Sequence, residues 1–212
     1  IKFNKKFSSQ TAEKFIKKII YEKTKCKYLY VSRNFKFGFK RRGNIHTLKK
    51  FEKNFNYKNI ITSPYKNKDM IISSTFIRKK IREGRVSLVK KLLSRYWSIE
   101  GKVEKGKKRG RKIGFPTCNI SLNSYVIPKL GVYGVKVKGK NFNKNGIANV
   151  GYRPTFNGQS LLLETNIFGF NKNLYNKVIN VSFKKFIRAE KKFKNLEYLK
   201  KQIKIDIKLA KK

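Results

Sequence analysis

The sequence predicts an α/β region over residues 1–92, followed by an antiparallel β-barrel with a C-terminal helix over residues 93–212. Helix and strand patterns alternate in the first region, which is typical of a parallel, nucleotide-binding type of sheet. From Tyr96 the hydrophobic period changes to two, and many short strands separated by turn residues favour a barrel. The tail from Asn195 to Lys211 places Leu196, Leu199, Ile203 and Ile207 at helical spacing, so we expect it to pack on the barrel as a helix.

Each element of the α/β region has its own signal. The stretch Thr11–Lys23 predicts an amphipathic helix with Thr11 among its candidate caps. Strands are predicted over Lys27–Ser32 and Asn59–Thr62, and between them Asn44 caps a helix that reaches about Phe55. The apolar stripe of the first helix comprises Ala12, Phe15, Ile16, Ile19 and Ile20.

The hydroxyl-rich stretch Ile72–Arg78 then predicts the start of a helix that stops at Gly84. The hydroxyls of Ser73, Ser74 and Thr75, the free N–H groups of the first turn and Arg78 together form a phosphate site in principle. The residues alone favour an ordinary Ser/Thr cap over that reading.

Alternation and turn residues define the barrel. Strands are predicted over Trp97–Val103, Gly131–Val137, Gly146–Val150, Leu161–Phe168 and Val178–Phe183. A hairpin turn is expected at 138–141, and Gly151–Phe156 is expected to turn the chain.

The stretch Gly106–Asn119 contains three glycines and five cations and ends in a Phe-Pro-Thr-Cys-Asn run. Glycines let backbone N–H groups approach a ligand closely, and the cations favour an anion. Thr117 and Asn119 lie two residues apart, so in an extended segment their oxygens can hold a hard cation such as Mg²⁺. A basic, Gly-rich hairpin loop feeding a strand is the alternative.

Glu164 is the candidate catalytic carboxylate, because it lies on an apolar strand of a chain that has 11 acidic residues. A strand carboxylate that faces a cleft can accept a proton from a hydroxyl nucleophile. An ion-paired surface glutamate explains the same pattern equally well.

The formal net charge of +44 is extreme. Binding to nucleic acid or to an anionic membrane is one interpretation. We favour compositional drift, because lysine greatly outnumbers arginine and is spread along the whole chain. A basic RNA-binding β-barrel without catalysis is kept as the alternative function.

Cysteine and histidine usage excludes several kinds of site. Cys26 and Cys118 lie far apart without metal-ligand spacing, so reduced thiols are expected. His46 is the only histidine, which argues against a His-based metal site or a Ser-His-Asp triad. No apolar run reaches membrane-spanning length, so we expect a cytoplasmic location.

The order Gly-Phe-Pro-Thr-x-Asn closely resembles the signature of riboflavin kinases. Gly106 lies in the same loop, and the matching positions are Arg111, Gly114, Phe115, Pro116, Thr117 and Asn119. Cys118 replaces the usual alanine, and Asn166 replaces histidine in a Leu-x-x-Glu-x-His pattern in which Leu161 and Glu164 match. The stretch Asn149–Phe156, with Arg153, resembles a turn beside the family's active site, and Arg188 corresponds to its flap, near the ligands.

Residues 1–92 resemble the FMN adenylyltransferase domain, with a Rossmann-like nucleotidyltransferase fold, that precedes the kinase in bacterial bifunctional enzymes (FAD synthetases). The string Ile72–Arg78 matches that domain's phosphate-binding motif, and Asn34, Phe37 and Gly38 match its flavin/nucleotide loop, with Ser32 where glycine is usual. The family's early His-x-Gly-His element has no counterpart. We therefore expect an N-terminally truncated chain that is impaired in adenylyl transfer.

The resemblance implies direct phosphoryl transfer from ATP to riboflavin, giving FMN and ADP. The loop of Gly106 to Thr117 would hold the ATP phosphates, Thr117 and Asn119 would hold Mg²⁺, and Glu164 would deprotonate the ribityl hydroxyl. The expected partners are ATP and flavin, without nucleic acid or membrane, and self-association is left open.

Overall fold

A computed structural model describes residues 1–67, 70–106, 109–122, 125–155 and 158–212. The side chains of Asn67, Arg109, Lys112, 153–155 and 158–159 lie outside this description. The chain divides into two compact units, Ile1–Ile72 and Ser73–Lys212. The boundary predicted at residue 92 concerns the family domains and stays a prediction.

The first unit contains the predicted alternation of helix and strand. In order, it comprises α1 (Lys5–Ser8), α2 (Ala12–Phe15), which continues as a π-helix over Ile16–Lys23, β1 (Tyr28–Ser32), α3 (Ile45–Lys50), β2 (Lys58–Thr62), β3 (Lys66–Asn67) and β4 (Met70–Ile71). Strands β1 and β2 pair in parallel, as predicted. Helix α3 ends five residues before Phe55, because the chain continues in turns after Lys50.

The caps and the core of this unit follow the predicted pattern. The Thr11 hydroxyl accepts from the Lys14 N–H, and Asn44 caps α3 in a reciprocal pair with Thr47. The Tyr57 hydroxyl donates to the Leu48 carbonyl at 2.6 Å. The buried hydrophobic residues are Ile16, Ile20, Val31, Phe37, Leu48 and Tyr57.

The second unit begins with two helices, α4 (Ser74–Arg82) and α5 (Val86–Leu93). The Ser73 hydroxyl accepts from the Phe76 N–H, which confirms the predicted cap, and Gly84 ends the turn with φ +76°. The Ser87 hydroxyl donates to the Lys184 carbonyl at 3.1 Å. The helix pair therefore packs on the sheet that follows it.

The sheet has six antiparallel strands in the order β5-β10-β7-β8-β9-β6. Their bounds, with two helices, are β5 (Ser98–Lys102), α6 (Arg109–Lys112), β6 (Cys118–Ser121), β7 (Gly131–Gly139), β8 (Phe142–Thr155), β9 (Gly158–Ile167), β10 (Val178–Arg188) and α7 (Leu196–Lys211). The Glu104 N–H donates to the Asn119 carbonyl, so the chain after β5 meets β6 and the sheet nearly closes. This architecture confirms the predicted barrel.

The barrel interior is filled by alternate residues of every strand. Its largest fully buried side chains include Ile99, Val103, Ile120, Tyr133, Leu163, Ile179 and Phe183. On β9 the inward residues are Leu161, Leu163, Thr165 and Ile167. The residues between them, Glu164 among them, therefore face outward.

One sequence prediction about the barrel was wrong. The stretch Gly151–Thr155 does not turn the chain but continues β8, where Arg153 pairs with Ser160 and Pro154 with Gln159. Phe156 lies outside the described residues. Arg188, the predicted flap residue, ends strand β10.

Candidate active site

Three polar side chains from neighbouring strands form one row on the outer face of the barrel. Asn119 on β6 pairs with Glu164 on β9, and Glu164 pairs with Asn149 on β8. Directly opposed residues of antiparallel strands share a face, with Cβ atoms about 4.5–5.5 Å apart. The structure therefore brings together Glu164 and Asn119, which lie 45 positions apart in the sequence.

Asn119 is buried, with a relative exposure of 9%. A Cβ added at Gly106 would overlap its side-chain amide, so the absence of a side chain at Gly106 makes room for Asn119. Among the described residues the Asn119 Oδ1 has no hydrogen-bond partner. A buried amide oxygen without a partner is costly unless a ligand satisfies it, and a hard cation prefers such an oxygen.

The loop before β6 approaches Thr117 closely at Gly110. Helix α6 is a single turn, and Gly114 follows it with φ +89°. The Phe115 N–H donates to the Gly110 carbonyl at 2.8 Å, and the space beside Gly110 borders the Thr117 hydroxyl. Thr117 is exposed, in contrast to Asn119. Lys107 and Lys108, two of the predicted loop cations, lie outside the described residues.

A cavity of about 250 Å³, open to solvent, adjoins this loop. Arg111, Pro116, Thr117 and Cys118 form one wall, and Phe170–Tyr175 forms another. Neither Asn119 nor Glu164 is among its lining residues: the cavity is lined by the inward-facing Cys118, Thr165 and Ile167, whereas the polar row lies on the outer face of the same strands. Thr117, which lines the cavity, lies two residues before Asn119 in the chain. Residues 170–175 were not predicted at the site, because neither the hydrophobic periodicity nor the family resemblance indicates them.

The Cys118 thiol faces the barrel interior and donates to the Thr165 carbonyl at 3.3 Å. Burial raises the pKa of the Cys118 thiol to about 11. The thiol is therefore protonated at neutral pH, and the nucleophilic thiolate is scarce.

We expect iodoacetamide at pH 8 to label Cys26 faster than Cys118 in the folded protein. Cys26 is partly exposed, whereas Cys118 is buried and its raised pKa keeps the thiol protonated over the whole range below pH 11. Mass spectrometry of tryptic peptides after timed labelling measures both rates, and unfolding in urea serves as the control that equalises them. Equal rates in the folded protein would contradict this assignment.

Arg188 lies in a network at the end of β10. Its Nε donates to both carboxylate oxygens of Asp206, its Nη2 lies 2.7 Å from Asp206 Oδ2, and its Nη1 donates to the Ala189 carbonyl. Asp206 is almost fully buried on α7 and also accepts from the Gln202 amide. The guanidinium thus anchors the C-terminal helix, and its predicted place near the ligands stays a prediction.

The segment after Arg188 reaches the polar row. A Cβ added at Gly151 would overlap a carboxylate oxygen of Glu190, and it would lie 3.1 Å from the Asn149 amide nitrogen. Glycine at position 151 therefore allows residues 189–190 to approach β8 beside Asn149. The side chain of Arg153, predicted at the flavin site, lies outside the description.

The predicted adenylyltransferase residues lie in both units. Ser73, Ser74, Thr75 and Arg78 are exposed at and after the cap of α4, in the second unit. In the first unit, Asn34 is exposed and Gly38 has φ +73°. Phe37 packs in the core of that unit against Phe15 and Phe35.

Two properties of the described residues limit the kind of site. Among those residues no group of three or more His, Cys, Asp or Glu side chains is arranged to hold a metal ion. No described helix is long and apolar enough to cross a membrane. Any metal held by the polar row would therefore depend on isolated oxygen ligands and on the substrate.

Comparisons with known proteins cover both units. A riboflavin kinase family model matches residues 93–212, and an FAD synthetase model matches residues 1–76. The bifunctional riboflavin kinase/FMN adenylyltransferase of Buchnera aphidicola subsp. Schizaphis graminum is 46% identical, over 100% of this chain and 69% of the relative. The protein of the same name from Haemophilus influenzae is 40% identical, over 99% of this chain and 68% of the relative.

A solved structure has the same fold over nearly the whole chain. The crystal structure of a protein described as a macrolide-efflux protein from Streptococcus pneumoniae has a TM-score of 0.82 and 32% identity, over 99% of this chain and 67% of that one. The chain thus spans about two thirds of the length of these relatives. It belongs to the bifunctional riboflavin kinase/FMN adenylyltransferase family, and it is a transferase with a riboflavin kinase domain in residues 93–212.

Proposed function

We propose that the barrel transfers the γ-phosphoryl group of ATP to the terminal ribityl hydroxyl of riboflavin. The observation that carries this proposal is the cross-strand pair of Asn119 and Glu164, next in the chain to the Pro116–Thr117 segment that lines the cavity. The pair supplies a carboxylate and an amide oxygen on one face, and the cavity supplies a cation, Arg111, and apolar walls. Phosphoryl transfer needs this combination of positioning and charge.

Glu164 is the proposed catalytic base. Its carboxylate orients the ribityl hydroxyl and takes its proton while the hydroxyl oxygen attacks the γ-phosphorus. The bond between the γ-phosphorus and the β–γ bridging oxygen breaks, and ADP leaves with the electron pair. Asn119 and Asn149 flank Glu164 in the row and limit the directions in which its side chain can turn.

The loop is the proposed ATP site. The backbone around Gly106 and Gly114, the side chain of Arg111 and the Phe115–Thr117 run bind the phosphates, and the cavity holds the rest of the nucleotide. Thr117 and Asn119 are the proposed Mg²⁺ ligands, since the Asn119 Oδ1 is buried and lacks a partner among the described residues. When bound, Mg²⁺ neutralises charge on the phosphate oxygens.

The adenylyltransferase roles are proposals of the same kind. Ser73, Ser74, Thr75 and Arg78 bind phosphate at the N-terminus of α4. Asn34, Phe37 and Gly38 shape a flavin/nucleotide loop, with Phe37 acting from the core. His46, the chain's only histidine, is exposed on α3, so we expect little conversion of FMN to FAD by this chain.

The direct test incubates the purified chain with riboflavin, ATP and MgCl₂ and separates flavins by chromatography with fluorescence detection. We expect FMN and ADP to form in equal amounts, and no FMN without ATP. A folded protein that forms no FMN would overturn the proposal. Salt-sensitive RNA binding without turnover would instead favour the RNA-binding alternative, for which the comparisons offer no support.

Replacing Asn119 with alanine is expected to weaken Mg²⁺-ATP binding by about tenfold or more, because the substitution removes one proposed ligand oxygen. The measurement is riboflavin phosphorylation against Mg²⁺ concentration at fixed ATP. Asn149→Ala is the matched control, since Asn149 lies in the same row on the other side of Glu164. An unchanged Mg²⁺ dependence in Asn119→Ala would remove Asn119 from the ligand set.

A further inference from the structure

Asn166 lies beside the proposed active site, on the same strand as Glu164 and two residues beyond it. Residues two positions apart on a strand point to the same face of the sheet, so Asn166 and Glu164 both point outward. The last described pair between β6 and β9 is Cys118 with Thr165. Continuing this register by one step places Thr117 opposite Asn166.

The side chain of Asn166 makes a hydrogen bond to the segment before β6, beyond the last described backbone pair of β6 and β9. Its Nδ2 donates to the Pro116 carbonyl at 2.7 Å. Proline has no N–H to offer a neighbouring strand, so backbone pairing weakens where Pro116 enters the sheet. The amide of Asn166 ties this segment to β9 just beyond the end of β6.

The segment that Asn166 holds carries the proposed nucleotide contacts. Pro116 and Thr117 line the cavity together with Arg111. Rotating the Pro116–Thr117 peptide would move the Thr117 hydroxyl and, through Cys118, the start of the strand that carries Asn119. Fixing the Pro116 carbonyl therefore restricts above all the Thr117 hydroxyl, because the β6–β9 ladder itself holds Asn119 opposite Glu164.

We propose that Asn166 is a positioning residue for Mg²⁺-ATP: it orients the Pro116–Thr117 peptide and touches no reacting atom. The inference rests on the proposed kinase function of the barrel. It also assigns a role to a position at which this chain departs from the histidine of the family pattern. A neutral imidazole has one N–H donor, so histidine can serve the same carbonyl.

The test replaces Asn166 with aspartate, which keeps the shape and removes the donor. We expect the Kd of Mg²⁺-ATP, measured by calorimetry without riboflavin, to rise about three- to tenfold, as befits one lost hydrogen bond. The KM for Mg²⁺-ATP should rise by a similar factor, while the KM for riboflavin changes less than about twofold. Asn166→His should restore most of the affinity, because it restores a donor.

Asn180→Asp is the matched control. The Asn180 Nδ2 donates to the Ser98 hydroxyl at 3.2 Å, between β10 and β5, so this change removes the same kind of donor away from the loop. The control should leave the Kd of Mg²⁺-ATP unchanged, and thermal unfolding of each variant measures any loss of stability.

The outcomes separate the two proposals. A Kd for Mg²⁺-ATP that is the same in Asn166→Asp and in the unsubstituted chain would overturn the positioning role, whatever the turnover. An equal rise in the KM for both substrates would also overturn it, because it would indicate general loosening. An unsubstituted chain that binds Mg²⁺-ATP without forming FMN would refute the kinase function, yet a raised Kd in Asn166→Asp would still support the positioning role.

Discussion

Replacing Glu164 with glutamine is expected to lower the turnover number for riboflavin phosphorylation by about 10²–10⁴-fold, the usual contribution of a general base. Glutamine has the shape of glutamate but cannot accept the hydroxyl proton. Glu164 lies between Asn119 and Asn149 in the cross-strand row, so the substitution keeps the surroundings of the side chain. Riboflavin affinity, followed by quenching of flavin fluorescence, should change less than about threefold.

The matched control is Glu100→Gln. Glu100 is an exposed strand glutamate on β5, a strand that does not pair with β9. Its substitution should leave turnover within about twofold, as expected for an exposed position. If the two variants have the same turnover, Glu164 is not the base. If Glu164→Gln loses riboflavin binding as well as turnover, the glutamate acts in binding.

Local patterns predicted one of the two strands that carry this site, but they could not predict its assembly. Alternation places Glu164 on a strand predicted over Leu161–Phe168, which overlaps β9, whereas Asn119 was predicted only in an extended segment without strand bounds. Their pairing depends on the strand order, in which β6 lies beside β9 and not beside β7, its successor in the chain. Hydrophobic period does not encode that order, so the family resemblance was needed to connect the two residues.

The wrong turn at Gly151–Thr155 has a physical reason. Glycine and proline are strong breaker signals, and both occur in this stretch. Proline is tolerated in a strand where its missing N–H removes no needed bond, and Pro154 pairs close to the hairpin end of β8 and β9. Gly151 is required for a close approach by Glu190, a contact between distant segments that no local rule predicts.

The buried residues of the C-terminal helix also differ from those that local spacing predicts. Helical spacing predicted a packing stripe of Leu196, Leu199, Ile203 and Ile207. In the structure Leu196 is 51% exposed, whereas Asp206 and Ala210 are buried. A buried aspartate is disfavoured on hydropathy alone, and its partner Arg188 lies on a strand before the helix. The Arg188–Asp206 ion pair therefore buries an aspartate that hydropathy alone would place at the surface.

Replacing Asp206 with alanine is therefore expected to be the most destabilising single change considered. Removing one partner of a buried ion pair costs about 3–5 kcal/mol of unfolding free energy, because it leaves the other charge uncompensated. The Arg188 side chain is 18% exposed, so we expect a loss near the lower end, about 3 kcal/mol. Differential scanning calorimetry should show a Tm lowered by roughly 10 °C.

Glu197→Ala tests whether the loss is specific to the pair, since Glu197 is an exposed carboxylate on the same helix and should shift the Tm by less than about 2 °C. The double variant Arg188→Met with Asp206→Leu removes both charges and should recover much of the stability lost in Asp206→Ala, because apolar side chains of similar volume can replace a buried ion pair. Recovery would show that the cost arises from the orphaned guanidinium. If the double variant is instead less stable than Asp206→Ala, the bond from Arg188 to the Ala189 carbonyl contributes more than the charge pair.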